Sequence, residues 1–245
     1  MELVFVSVFN YGCIEIATNH LESLKRNNIT NYIAFVTDNE SYNELSIKNY
    51  NVQLLKQDVI NENISNEKKD FGCIDFNKMS YIRYKIINNL FKEGKAVWYL
   101  DVDTVVLYNL NNIYNSINCN ENADIYFQSD INMLCTGCML FFPNQKTIEL
   151  TDHIFNERST NSDNNDQIYL NHYLRSSPLN IKILDPNLFP NGLLFFSELS
   201  DNLYFRKFQE DFKNSKHPVM FVHANFMVGT DKKIVALKNK NLWFI

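Results

Sequence analysis

Asp101 and Asp103 stand two apart at the end of the apolar run Val97-Trp98-Tyr99-Leu100, and Thr104-Val105-Val106 follow them. Runs of this length, rich in Val and aromatics, form strands buried on both faces, as in a parallel sheet. A carboxylate taken out of water is costly unless a cation compensates it. Two of them at a strand end call for a cation, and strand ends of open α/β sheets are where ligands bind. The pair reads as a divalent-metal site holding a phosphorylated ligand. Two chemistries use such a pair. In one, the first Asp attacks a phosphoryl group and the second acts as general acid. In the other, both hold a metal that neutralises a diphosphate leaving group.

The elements around the pair follow from periodicity. Residues 3–9 make a buried strand, 14–26 a helix with Ile16, Leu21 and Leu24 at helical spacing, and 32–37 a second strand. Asp38 is a good N-cap for the next helix, and residues 51–56 form a weaker strand. This is β-α-β-α-β, the opening half of a doubly wound sheet. Residues 57–75 read as a polar surface loop or a lid. A strong helix spans 77–92 and ends at Gly94, a good C-cap. After the Asp pair, 105–109 continue outward, and helices are expected at 111–117, 148–158 and 167–174. Strands are expected at 123–128, 134–142, 181–184 and 219–223. Residues 159–165 read as a polar loop and 225–233 as a Gly-containing basic loop. The chain reads as one α/β domain over 1–245, with 1–103 as the nucleotide-binding half and 104–245 as the acceptor-side half.

Composition narrows the function. The 245 residues carry a formal net charge of −5, which argues against a nucleic-acid binder that works by charge. No apolar run is long enough to span a membrane. The first residues lack a basic region and a cleavage site, so no signal peptide is read there. Five cysteines, an odd number, fit reduced thiols in a cytoplasmic protein. Cys135 and Cys138 form a single CxxC, read as small packing residues, with metal or redox use as the alternative.

Asp101-Val102-Asp103-Thr104-Val105 fits the DxDx[T/V] motif of the haloacid-dehalogenase-type phosphatases. That class also needs a downstream strand ending in paired acids, and none is present. The motif also lies near the N-terminus there, whereas here a full β-α-β-α-β unit precedes it.

An ordered series of landmarks favours the second chemistry. It runs Asn77-Lys78-Met79-Ser80-Tyr81-Ile82-Arg83, the Asp pair, Phe127-Gln128-Ser129-Asp130, Thr136-Gly137-Cys138-Met139, Asn165-Asp166-Gln167, Leu188-Phe189-Pro190-Asn191-Gly192, and His223-Ala224-Asn225 with Gly229. Over residues 70–230 this series resembles the nucleotide-diphospho-sugar transferases of the GT-A fold grouped as glycosyltransferase family 77, and more distantly family 8. The resemblance implies a mostly parallel Rossmann-like sheet flanked by helices. It implies metal-dependent transfer, with retention, of a sugar from a nucleotide-sugar donor such as a UDP-sugar. The acceptor would be a hydroxyl on a glycan, a glycosylated protein or another molecule.

The same resemblance assigns roles. Asp101, Asp103 and His223 would hold Mn2+ or Mg2+, with Asp103 the direct ligand. Gly229 and Lys232, or Lys233, would wrap the diphosphate. Lys78 and Arg83, taken as sharing one helix face, would reach donor phosphate or the Asp pair. Gln128 and Asp130 would border donor sugar and acceptor, and Asp166 and Gln167 would hold sugar hydroxyls. Tyr11 and Asp38 would stack on and hydrogen-bond the uracil. His20 is given no role. A binding module without turnover is the further alternative, against which the intact Asp pair and His223 argue.

Overall fold

The computed structural model describes residues 1–55, 67, 74–120, 122–157 and 165–245; side chains at 74–76 and 118–120 lie outside that description. The segments expected as polar loops at 57–75 and 159–165 fall largely outside it as well.

The chain opens with β1 (Leu3–Phe9), a 3-10 turn (Tyr11–Cys13) and α1 (Ile14–Arg26). It continues through β2 (Tyr32–Val36), α2 (Asn39–Ile47), β3 (Val52–Leu54), α3 (Ile74–Lys92) and β4 (Ala96–Leu100). Beyond the Asp pair come β5 (Thr104–Val106), α4 (Leu110–Asn120), β6 (Ile125–Ser129), β7 (Leu134–Phe141), α5 (Gln145–Glu157), α6 (Asp166–Leu174) and β8 (Ile181–Ile183). The last elements are α7 (Gly192–Phe196), α8 (Leu203–Asn214), β9 (Phe221–His223) and α9 (Thr230–Asn239).

Seven strands form one sheet in the order β3-β2-β1-β4-β7-β6-β8. β1 pairs in parallel with β2 and β4, as β2 does with β3 and β6 with β8, while β7 runs antiparallel to both β4 and β6. The sheet is therefore mostly parallel, as expected for the opening half. Alternate residues of each central strand fill opposite sides. Phe5, Phe9, Trp98 and Leu100 enter one core with α1, while Val4, Val6, Val97 and Tyr99 enter the other under α3 and α5. Both faces being covered explains why β1 and β4 read as unbroken apolar runs.

The expected outward extension of 105–109 turns out differently. β5 leaves the main sheet and pairs antiparallel with β9 in a two-stranded ribbon, with Thr104 opposite His223. Val105, Val222, Ile16 and Leu237 pack this ribbon against α1 and α9. Thr104 and His223, 119 positions apart, are thereby placed side by side. The expected loop at 225–233 is also shorter, because α9 starts at Thr230 and Gly229 occupies its N-cap position at φ 98°. Only glycine adopts that conformation without strain. No helix among the described residues is long and apolar enough to cross a membrane.

Asp38 caps α2 as the sequence implied. Its carboxylate accepts from Ser41 N at 2.7 Å, from Ser41 Oγ at 3.0 Å and from Tyr11 N at 2.8 Å. Replacing Asp38 with Ala should destabilise the protein by roughly 1–2 kcal/mol in urea unfolding, the scale of a lost N-cap.

Candidate functional site

The turn between β4 and β5 holds Asp101 and Asp103 in place from three sides. Thr104 closes it, its N donating to Asp101 O at 3.1 Å and its Oγ1 to the same oxygen at 2.8 Å. From β7, Gly137 O accepts from Asp101 N at 2.8 Å, and from the end of β9, Ala224 N donates to Asp103 O at 2.9 Å. Ligand atoms of Asp101, Asp103 and His223 all lie within 4.8 Å of one another. The floor of this cluster is Gly137. A Cβ there would overlap His223 Cε1 and come within 2.6 Å of Asp101 Oδ2. The space that any side chain would fill is thus kept open between a carboxylate and an imidazole. The two carboxylates suit Mg2+ or Mn2+, and the imidazole favours Mn2+ of the two, so the donor set fits the expected metal.

Asp103 is buried, and both of its oxygens have partners. His223 Nε2 lies 3.1 Å from Oδ1, and Lys233 Nζ donates to Oδ2 at 2.7 Å. Burial alone would raise the carboxyl pKa, but the two cationic partners outweigh it and hold the group well below the usual carboxylate range. The converse holds for His223, whose pKa is raised because Asp103 overcomes the effect of burial. The structure thus places Lys233 at the carboxylate, whereas Lys232 is exposed and does not line the cavity.

Arg83 on α3 is buried beneath Asp101. It donates through Nη1 to Thr136 O at 2.8 Å and to Asp101 Oδ1 at 3.3 Å, and its Nε lies 3.7 Å from Asp166 Oδ2. The guanidinium also sits 4.6 Å from the Tyr99 ring centroid. Burial would lower its pKa, but Asp166, Tyr99 and Asp101 more than reverse that, so Arg83 is a permanent cation. Lys78 does not share this position. Five residues advance a helix by about 500°, which leaves the two side chains well over a quarter-turn apart; Lys78 is absent from the cavity lining.

A cavity of about 440 Å³ opens over the cluster. Asp101, Asp103, His223, Arg83 and Lys233 line it, as do Asp130, Asp166, Gln167 and Gly229 from the sequence reading. Asp130 Oδ1 accepts from Asn225 Nδ2 at 2.7 Å and Oδ2 from Gln167 Nε2 at 3.1 Å, and burial pushes its pKa up. Gln167 Oε1 accepts from Thr136 N at 3.1 Å, so its amide braces β7 against α6. Asp166 is buried and accepts from Tyr84 OH at 2.9 Å.

Three further expected site residues lie elsewhere. Tyr11 is exposed and, with Asp38, does not line the cavity; the Asp38 carboxylate is committed to its cap and to Tyr11 N. Gln128 is fully buried behind His223 and does not border the cavity.

His20, given no role by the sequence, is part of the support. Its Nδ1 lies 3.0 Å from Thr104 O and its Nε2 2.9 Å from Ser7 Oγ, tying the Asp turn to α1 and β1. The signal was its place at i+4 from Ile16 and i−4 from Leu24, on the inward face. Burial drives its pKa down to about 4. A histidine whose folded pKa is depressed contributes stability that is present above its ordinary pKa and lost as pH falls toward the folded value. Histidine NMR should therefore show His20 neutral at pH 7 and titrating near 4. Its share of stability, roughly 3 kcal/mol at 1.36 kcal/mol per unit, should disappear between pH 6.5 and 4. Separately, Gly137→Ala should fold yet fail to bind Mn2+, as read by calorimetry, because its Cβ fills the space between Asp101 and His223.

Known proteins resemble this chain in sequence and in fold. The family model for nucleotide-diphospho-sugar transferases covers residues 27–237. A UDP-galactose:fucoside alpha-3-galactosyltransferase of Dictyostelium discoideum is 24% identical over 289 aligned positions, which span 98% of this chain and 43% of that protein. The chain thus spans less than half the length of this relative. The galactosyltransferase LgtC, solved with donor and acceptor sugar analogues, superposes with a TM-score of 0.62 at 12% identity, over 98% of this chain and 94% of its own. The glycosyltransferase GlyE of Streptococcus pneumoniae TIGR4 gives 0.62 at 15% identity, over 100% of this chain and 65% of its own. The sheet order, the Asp pair at the end of β4 and the family match agree: the chain belongs to the nucleotide-diphospho-sugar transferase family and has the GT-A glycosyltransferase fold.

Proposed function

We propose that the chain is a metal-dependent glycosyltransferase that moves a sugar, with retention, from a UDP-sugar to an acceptor hydroxyl. The observation that carries this reading is the convergence of Asp101, Asp103 and His223 over Gly137, with Lys233 on the same carboxylate, at the floor of one cavity. Asp101, Asp103 and His223 would hold Mn2+ or Mg2+, which supplies Lewis-acid neutralisation of a diphosphate leaving group. The whole chain would act as one domain, residues 1–103 bringing the nucleotide side and 104–245 the acceptor side. UDP-galactose, the donor in the name of the Dictyostelium relative, is the first donor to test. Cys135 and Cys138 are free thiols, which suits the cytoplasm.

The chain's own groups divide the work. Lys233 offers a half-buried cation beside the leaving group, where a positive charge stabilises developing negative charge. Arg83 fixes Asp101 and compensates Asp166. Asp130 and Gln167 form a cross-linked polar wall able to hold sugar hydroxyls. Neither Asp130 nor Asp166 is presented bare as a nucleophile, since the first is bonded at both oxygens and the second lies buried under Tyr84 and Arg83. That favours front-side displacement, in which the departing phosphate accepts the acceptor's proton. The phosphatase reading needs Asp103 as a proton donor, and a carboxylate held ionised by His223 and Lys233 is ill suited to that role.

A panel of UDP- and GDP-sugars with Mn2+ should show donor hydrolysis or transfer for at least one UDP-sugar and no turnover of p-nitrophenyl phosphate. Asp103→Ala should lower that rate by at least about a hundredfold, the upper scale reported for metal-site partners. Lys233→Met should lower kcat by roughly 100- to 1000-fold, as for loss of one group facing developing charge. If no donor turns over and none raises the melting temperature, the reading is wrong, because a bound ligand stabilises by mass action.

A further inference from the structure

β6 and β7 do not run in register throughout. The pairing shifts between Phe127 and Gln128, so that Phe127 faces Met139 while Gln128 faces Cys135. Such irregularities re-aim side chains. Here the shift lets Gly137 approach the Asp pair, and the fully buried Gln128 side chain reaches His223 from behind.

The hydrogen bonds of Gln128 leave one orientation for its amide. Two backbone carbonyls, Phe189 O at 3.2 Å and Pro190 O at 2.9 Å, face its Nε2. Carbonyl oxygens only accept, so the NH2 group must point at them. Its Oε1 then lies 2.8 Å from His223 Nδ1. An amide oxygen also only accepts, so Nδ1 must carry the proton. Nε2, 3.1 Å from Asp103 Oδ1, then carries the second proton of the cationic ring and presents a bare lone pair when the ring is neutral. Two acceptors face each other at that distance only when a cation or a proton lies between them.

We propose that Gln128 is the positioning residue that fixes His223 in its Nδ1–H tautomer and so turns Nε2 into a metal ligand. The metal half of this statement rests on the reading above; the tautomer half does not. Glutamine is the residue type that meets both demands. Glutamate would set a carboxylate oxygen against Phe189 O and Pro190 O, and leucine would offer His223 no acceptor. The turn Leu188-Phe189-Pro190-Asn191-Gly192 is thereby connected to the metal site through its carbonyls. Gly192 completes the link, since a Cβ there would collide with Asn225 O, two residues past His223.

The test is 15N NMR of histidine-labelled, metal-free protein, with His223 assigned by its loss in His223→Ala. Wild type should show the Nδ1–H form once the ring is neutral, and Gln128→Leu should shift it toward Nε2–H. Mn2+ affinity, read by EPR titration, should fall roughly 10- to 100-fold in Gln128→Leu, as for other outer-shell partners of ligating histidines. The wild-type spectrum decides the matter even if the variant fails to fold. A neutral wild-type His223 ring with its only proton on Nε2 overturns the inference whether or not Mn2+ binds. An Nδ1–H ring in a wild-type protein that takes up no Mn2+ keeps the positioning of the ring and overturns the metal reading. A folded Gln128→Leu protein with unchanged tautomer and unchanged Mn2+ affinity overturns the role of Gln128.

Discussion

A carboxylate buried as deeply as Asp103 must meet positive charge, and the way this chain supplies it governs much of the fold. Lys233 comes from α9 and His223 from β9, both more than a hundred residues beyond Asp103 in sequence. The β5–β9 ribbon brings them there, and its own small apolar cluster holds α9 against α1. Breaking such a pair by removing one partner leaves an uncompensated buried charge, which is far more costly than never having made it. The ribbon, the helix behind it and the charge cluster therefore stand or fall together.

Around that cluster the backbone approaches unusually closely. Gly137 lies against Asp101 and His223, and Gly192 lies against Asn225, so each glycine is demanded by a neighbouring chain. The shifted register of β6 and β7 feeds Gly137 into the site and Gln128 behind it. Arg83 closes the other side, sandwiched between Asp101, Asp166 and Tyr99. Buried polar groups here are matched in both directions, and that arrangement fixes the side chains of the cluster.

The sequence made the strands with both faces buried easy to find, because β1 and β4 are continuous apolar runs ended by polar residues. Asp101 and Asp103 stood out by type and spacing and His223 by the resemblance, and the fold brings the three together. Lys233 was not separable from Lys232, since adjacent helical residues point about 100° apart and the phase depends on where α9 begins. Gly229 at φ 98° sets that start, and no periodic signal marks it. Gln128 read as a substrate contact because a polar residue at a strand end faces either the ligand or the core; the register shift decided for the core. α8 went unread although Phe205, Phe208 and Phe212 stand at helical spacing, and its buried residue is Gln209. That glutamine donates to Leu193 O and Glu198 O and accepts from Ser200 N, capping loops where a hydrophobic stripe would normally pack.

On the proposed reading, Asp101, Asp103 and His223 hold a divalent cation against a nucleoside diphosphate. Pulsed EPR of the protein with Mn2+ and UDP tests it directly, because coupled nuclei identify what touches the ion. The expected result is 14N coupling from one imidazole, lost in His223→Ala, together with 31P coupling from the diphosphate. Mn2+ that shows water protons alone, or 31P coupling with no imidazole nitrogen, would contradict it.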